Sequence, residues 1–529
     1  MVTKSSGSLA LLLHAHLPFV RHPEHEEFHE EDWLFEAVAE TYIPLLRIFR
    51  RLAYDRAPVR LALTMTPTLC AMLRDPLLQQ RTERYLDRGV ELSRREIERT
   101  AGDAHLNGLA HFYSERFVSA RDFYLNEVNR DLVGAFAQLQ DEGLLEIITC
   151  AATHGFLPLM EHCPEAMRAQ ILIGRDQYRE CFGQDPTGIW LPECGYIPAV
   201  GKLLQEADLR WFVIDAHGLM FGEPRPRFAI FSPYYIPAGP AVFARDRESS
   251  KQVWSAREGY PGDPAYREFY KDIGKELPEE YLAGVYPDLG YRRYSGIKYH
   301  RITGREDKEY YHRDWAMGAA EAHAGHFLQS RIQQVAQLRE MLPVDPIVLS
   351  PFDAELFGHW WFEGPEFLDL FLRKAAYDQK TFELTTPSRY LANHPTLQVV
   401  SPSPSSWGNK GYWEVWLDPC NSWIYPHLHA GAARMTEMAR KFANTRSKYY
   451  DRVLKQMARE LLLAQSSDWA FLMKTGTARE YAEKRTRDHL LRFLKLYELA
   501  KEKRRDEALL AACEQRDNLF PNLNWHYYA

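Results

Sequence analysis

"PIVLSPFDAELFGHWW", residues 346–361, runs from an apolar stretch into two acids, a histidine and paired tryptophans. A short unbroken apolar run is how a strand covered on both faces reads, because neither face needs polar side chains. Carboxylates then stand where the strand stops, at Asp353 and Glu355. Five more runs read as strands: "LALLL" (9–13), "VRLALTMT" (59–66), "LLEIIT" (144–149), "GIWLP" (188–192) and "RWFVID" (210–215). Helical patterns fill the gaps, as in "DWLFEAVAETYIPLLRIFRRLAYD" (32–55) and "PEAMRAQILIGRDQYRECFG" (164–183). Strands alternating with helices specify an α/β chain built on a parallel sheet, open or closed.

Polar residues gather just after these runs. His14 and His16 follow the first, Thr153 and His154 the third, Glu193 the fourth, Asp215 and His217 the fifth, and Asp353 the sixth. The carboxyl ends of parallel strands are where barrels and doubly wound sheets place their ligands. No G-x-G-x-x-G or Walker A pattern occurs, so no nucleotide cofactor is expected.

Residues 219–312 break the rhythm with Pro- and aromatic-rich segments such as "FGEPRPRFAIFSPYYIPAGP" (221–240). Insertions of this kind build clefts or lids. From about residue 425 the pattern is helical throughout. The expected organisation is a catalytic unit over 1–400, carrying an inserted lid or helical region at about 219–330. An all-α region over 401–529 follows and contributes a Trp-rich loop to the cleft.

With 529 residues, one small core is excluded. The net charge of -7 argues against nucleic acid as a partner. Seven widely spaced cysteines without a C-x-x-C pair fit reduced thiols in a cytoplasm. The first apolar run is too short to span a membrane, and no small-residue cleavage pattern follows it.

Glu193 in "WLPECGY" (190–196) has an apolar rim, which tunes a carboxyl and excludes water. Taken alone it also reads as a helix cap or an ion-pair partner. Asp353 repeats the pattern at another strand end, and two such acids suggest a carboxylate pair. Retaining cleavage of a glycoside needs two carboxyls about 5–5.5 Å apart. "HAHLP" (14–18) puts His14 and His16 on one strand face. They suit hydrogen bonding to sugar hydroxyls, metal ligation with His154, His217, Asp353 or His359, or a satisfied core. Trp407, Trp413, Trp416 and Trp423 stand at spacings of 6, 3 and 7, which matches neither a helix nor a strand stripe. They read as a loop closing over a sugar chain or as packing between two regions. Trp254 is a single candidate of the same type. Asp468, in "SSDWAFLM", fits helix packing, with contact to the cleft as the alternative.

The segments "HAHLP", "EIITCAATHGFLPL", "GIWLPECGY", "SPFDAELFGHWWFEGPEF" and "SWGNKGYWEVWLDPCNSW" resemble, in order, the five signature regions of glycoside hydrolase family 57. The helical tail resembles the C-terminal domain of that family's 1,4-α-glucan branching enzymes. The resemblance implies a distorted TIM-type (β/α)7 barrel with an inserted helical subdomain, and retaining chemistry without metal or organic cofactor. Glu193 falls on the family nucleophile and Asp353 on the general acid/base. His14, His16 and His154 match histidines around the donor sugar, and Trp254, Trp407 and Trp416 match aromatic residues shaping the cleft. Asp468 is carried with them as a candidate substrate contact.

The resemblance implies a 1,4-α-glucan branching activity, retaining cleavage of an amylose-like or glycogen-like α-glucan and transfer to a 6-hydroxyl. Some branching members carry a longer loop, with a tyrosine over the cleft, in the segment matching 219–250. Here that segment is short, although Tyr234 and Tyr235 are present, which favours an α-amylase-like hydrolase as the first alternative. A metal-dependent hydrolase using His14 and His16 is the second, and a non-catalytic glucan-binding protein the third.

Overall fold

The computed structural model describes residues 7–255, 258–287 and 290–529. The part of the amino-terminal reading that falls on residues 1–6 lies outside them. The strands are β1 (Gly7–Ala15), β2 (Leu61–Met65), β3 (Leu145–Cys150), β4 (Gly188–Trp190), β5 (Trp211–Ile214), β6 (Tyr234–Tyr235), β7 (Ala241–Ala244), β8 (Ile347–Asp353) and β9 (Phe382–Leu384). They form one sheet in the order β6-β7-β5-β4-β3-β2-β1-β8, with β9 pairing on the first residues of β1. Every pairing is parallel except the short one between β6 and β7.

The sheet curls into a distorted (β/α)7 barrel. No ladder joins β7 to β8 among the described residues. A backbone hydrogen bond from Asp246 N–H to Leu349 C=O, 2.8 Å, bridges that seam instead.

All nine residues of β1 are buried, as its unbroken apolar character requires. Alternate residues face opposite sides. Leu9, Leu11 and Leu13 pack with the surrounding helices, while Ala10 and Leu12 face the barrel interior with Ile148, Trp190, Val213 and Leu349. His14 is the next position on the inward row. The same alternation sets Thr64 above Ala62 on β2, and Asp353 above Leu349 and Pro351 on β8. Register places His14 beside both Thr64 and Asp353. The strand period alone therefore delivers polar groups to one end of the interior.

Strand β7 lies inside the stretch that the sequence reads as an insertion, 219–330, so that stretch also supplies a barrel strand. A second excursion, between β2 and β3, forms a helical hairpin, Pro76–Arg99 and Ala104–Asp122. Asp75 and Asp103 start these helices, each accepting two backbone N–H groups of the first turn, and Pro76 suits the position after its cap. Gly89 lies flush on Phe117, where a Cβ would stand 2.3 Å from the ring, so the two helices approach closely. Residues 258–287 and 290–312 cover this hairpin: Tyr113 Oη donates to Lys298 C=O at 2.6 Å and Tyr299 Oη to Glu96 at 2.9 Å. The helical subdomain is thus assembled from two separate connections.

Beyond β9, bridges Glu223–Ser401 and Tyr196–Ser405 lay the chain along the barrel. Helices Ile424–Lys441, Lys448–Ala464, Ser467–Thr475, Arg479–Lys501 and Glu507–Arg516 then pack together. No helix among the described residues is long and apolar enough to cross a membrane.

Candidate active site

Glu193 follows β4 on a tight turn, with φ 61° and ψ 23°. Cys194 and His154 also have positive φ, 50° and 56°. Left-handed backbone at a residue other than glycine costs on the order of 1–3 kcal/mol and persists only where surroundings enforce it. Those surroundings are visible at Glu193. Trp407 donates its backbone N–H to the Glu193 carbonyl at 3.0 Å and its indole Nε1–H to Oε2 at 2.8 Å. The Ser467 hydroxyl lies 3.0 Å from Oε1. Burial nevertheless pushes the Glu193 carboxyl up to about 7, against these donors.

Asp353 contrasts with it. Among the described residues no group donates a hydrogen bond to its carboxyl. Burial lifts it to about 6, opposed by the positive charges of His16 and Arg245. Glu355, two residues on, accepts from Tyr42 Oη at 2.6 Å and from the His16 N–H at 3.0 Å. Burial lifts it to about 7. Three carboxyls held near neutrality at one end of a barrel are a common mark of acid–base function.

The histidines stack above the interior. His16 and His154 are 3.9 Å apart at 16°, and His14 lies 4.8 Å from Trp190. Burial, with the neighbouring His16, holds His14 and His154 well below the usual imidazole range. Burial also works against charge on His16, but Asp468, Glu355 and Glu193 together raise it. Its Nε2 lies 3.0 Å from Asp468 Oδ1 and its Nδ1 3.1 Å from Thr66 Oγ1.

A further wall forms at β5. Asp215, although buried, is held well below the carboxylate range by His217, Arg245 and Arg247. His217 Nε2 also lies 2.8 Å from Gly411 C=O, which ties this wall to the Trp-rich loop.

The structure therefore gathers Glu193, Asp353, His14, His16, His154, Trp407 and Asp468. Two expected members differ. Trp416 is 1% exposed and stacks on Phe156 at 4.3 Å, so it packs beneath the loop and offers no surface to a sugar. Gly408 lies close against its six-membered ring. Trp254 is 58% exposed, at the end of helix Arg247–Trp254, and no hydrogen bond or ring contact joins it to the cluster among the described residues.

Ser467 and Thr66 also belong to the site, and neither stands out in the sequence. "Ser-Ser-Asp" reads as an ordinary helix start, yet Ser466 makes no side-chain cap bond and instead donates to Asp468.

His16, His154 and Asp468 have donor atoms within 4.8 Å of one another. His14 is not part of this group. Both nitrogens of His16 are engaged by Thr66 and Asp468, and both of His154 by His14 and Ser467. A metal ion would have to displace those contacts. A second buried group, Glu460, His489 and Asp517, already holds the Arg492 guanidinium at 3.1 Å from both acids.

The chain matches the profile of Glycosyl hydrolase family 57 over residues 10–402 and that of the 1,4-alpha-glucan branching enzyme C-terminal domain over 427–528. It is 35% identical to the 1,4-alpha-glucan branching enzyme of Thermococcus kodakarensis, across 97% of this chain and 77% of that protein. Among solved structures it resembles the alpha-amylase AmyC from Thermotoga maritima, with a TM-score of 0.92, 42% identity and 99% of each chain covered. It also resembles the GH57-type branching enzyme from Pyrococcus horikoshii, with a TM-score of 0.88 and 35% identity over 99% of this chain and 97% of that one.

Proposed function

The chain belongs to glycoside hydrolase family 57, and from that membership we propose that it is a 1,4-alpha-glucan branching enzyme using Glu193 as nucleophile and Asp353 as acid/base. The supporting observation is the contrast between the two carboxyls. Glu193 accepts a hydrogen bond at each oxygen, which fixes its direction. The Asp353 carboxyl receives none among the described residues, which suits it to meet a substrate oxygen.

In the first step a Glu193 oxygen bonds to the anomeric carbon of an α-1,4 glucan. The bond to the leaving O4 breaks as Asp353 gives that oxygen its proton. A glycosyl ester remains on Glu193. In the second step Asp353 takes the proton of an incoming 6-hydroxyl, whose oxygen displaces Glu193 and forms the α-1,6 branch. His14, His16, His154, Trp407 and Asp468 surround the donor sugar in this reading. Trp254, exposed away from them, is suited to a more distant part of the chain.

The units are a barrel over 1–400 and a helical domain over 401–529, and the second supplies Trp407, Ser467 and Asp468 to the mouth of the first. The seven free cysteines support a cytoplasmic setting and the synthesis of a glycogen-like glucan there.

A second reading is retaining hydrolysis, in which water replaces the 6-hydroxyl. It is favoured by the likeness to the alpha-amylase AmyC and by the short segment 219–250. Incubation with amylose, followed by proton NMR of the products, separates the two. New α-1,6 anomeric signals support branching; reducing ends without them replace it with hydrolysis.

A further inference from the structure

Ser467 stands where a row of groups ends. Its side chain is buried, with the hydroxyl 3.0 Å from Glu193 Oε1 and 2.8 Å from His154 Nδ1. Its backbone N–H donates to His154 C=O at 3.0 Å, which fixes the spacing. His154 Nε2 lies 3.1 Å from His14 Nε2. At the far end His14 Nδ1 is buried and has no hydrogen-bond partner among the described residues.

A hydroxyl carries one proton, and so does a neutral imidazole. Burial keeps His14 and His154 neutral. Only two continuous arrangements of protons then exist. In the first, His14 Nε2–H donates to His154 Nε2, His154 Nδ1–H donates to Ser467 Oγ, and the Ser467 hydroxyl donates to Glu193, which is a carboxylate. In the second every bond runs the other way. A protonated Glu193 donates to Ser467, Ser467 to His154 Nδ1, and His154 to His14 Nε2. His14 must then carry its proton on Nδ1, where no acceptor faces it. A buried N–H without a partner is rare in folded proteins and costs more than a bare ring nitrogen. The blind end of the row thus selects the first arrangement.

We propose that Ser467 is a positioning residue for the nucleophile, closing a one-directional hydrogen-bond chain from His14 through His154 that holds Glu193 in place as a carboxylate. The inference rests on the reading of Glu193 as nucleophile. It gives the buried histidine pair a task that needs neither metal nor proton transfer. It also makes the first turn of a C-terminal helix part of the machinery that orients a barrel side chain.

Ser467→Ala and Ser467→Thr test it, with kcat and KM on amylose measured across pH and melting temperatures recorded alongside. In Ser467→Ala, kcat falls roughly 10–100-fold, the worth of a hydrogen bond to a charged group. KM changes by less than about threefold, because an orienting bond acts on turnover more than on binding. The descending limb of the pH profile, which follows the higher of the two carboxyl values and hence Glu193, moves to higher pH, because the Glu193 carboxylate has lost a donor. Ser467→Thr keeps the hydroxyl and returns the limb to its original place. An unmoved limb in Ser467→Ala, or an equal shift in Ser467→Thr, overturns the chain. Glu193→Ala, assayed in parallel, separates two failures. If it retains turnover, the nucleophile reading falls; if it is inactive while the Ser467→Ala limb stays put, only the chain falls.

Discussion

His16 Nε2 meets both carboxylate oxygens of Asp468, at 3.0 and 3.1 Å, across a sequence separation of 452 residues. The contact joins the end of the first strand to the first turn of helix Ser467–Thr475. Asp468 is the leading charge that raises the His16 pKa against burial. A raised folded-state value means that the pair stabilises the fold below the unfolded histidine pKa of about 6.5, and that this contribution disappears as pH rises through the folded value. Asp468→Asn should lower the His16 pKa in an NMR titration. It should also lower the melting temperature more at pH 5.5 than at pH 8. An unchanged titration would show that the pairing does not govern His16.

Asp353 is expected to act only on substrates whose leaving group needs a proton. Asp353→Asn should slow amylose turnover by roughly 100–10,000-fold, the usual worth of a general acid. A maltosyl fluoride, whose leaving group departs unaided, should still glycosylate the variant. Mass spectrometry should then find the sugar on Glu193. If no adduct forms on Glu193, the division of roles is wrong.

The pH profile follows from the two carboxyls, at about 7 for Glu193 and about 6 for Asp353. The first step needs the nucleophile ionised while the acid is protonated. With the acid the lower of the two, the ascending limb falls near the Asp353 value and the descending limb near the Glu193 value. Because the acid's value lies below the nucleophile's, the productive form is a minority in the free enzyme. A narrow bell in kcat/KM, centred between pH 6 and 7, is expected, with apparent values belonging to the pair. A plateau extending to pH 9 would contradict it.

The two tryptophans of the loop should separate by assay. Trp407→Phe keeps a ring but loses the donor to Glu193 Oε2, so kcat drops while the melting temperature changes little. Trp416→Ala leaves a hole beside Phe156 and should destabilise the fold by about 3–5 kcal/mol, read by denaturant unfolding. A Trp416→Ala variant of undiminished stability would mean that the ring is not packed as described.

The strands at β1, β2, β3, β4, β5 and β8 are legible in the sequence because each is an apolar run too hydrophobic to be a surface element. β7 is not, since "AVFA" is four residues long and follows Gly239 and Pro240, which read as a turn. His14, Glu193 and Asp353 are legible because the strand period and the strand ends predict their place. Ser467 is hidden by its resemblance to a cap. Trp407 and Trp416 look alike in sequence; whether a ring meets a carboxylate or Phe156 depends on how the loop folds back, and local pattern carries no record of that.

The meeting of His16 with Asp468 also sets a clock on synthesis. A ribosome can finish every barrel strand and still have made no competent site, since Trp407, Ser467 and Asp468, which hold Glu193 and His16, are all made after the last of those strands. Turnover in this protein is consequently a late signal, one that reports the folding of the barrel and of the helices that follow it at once.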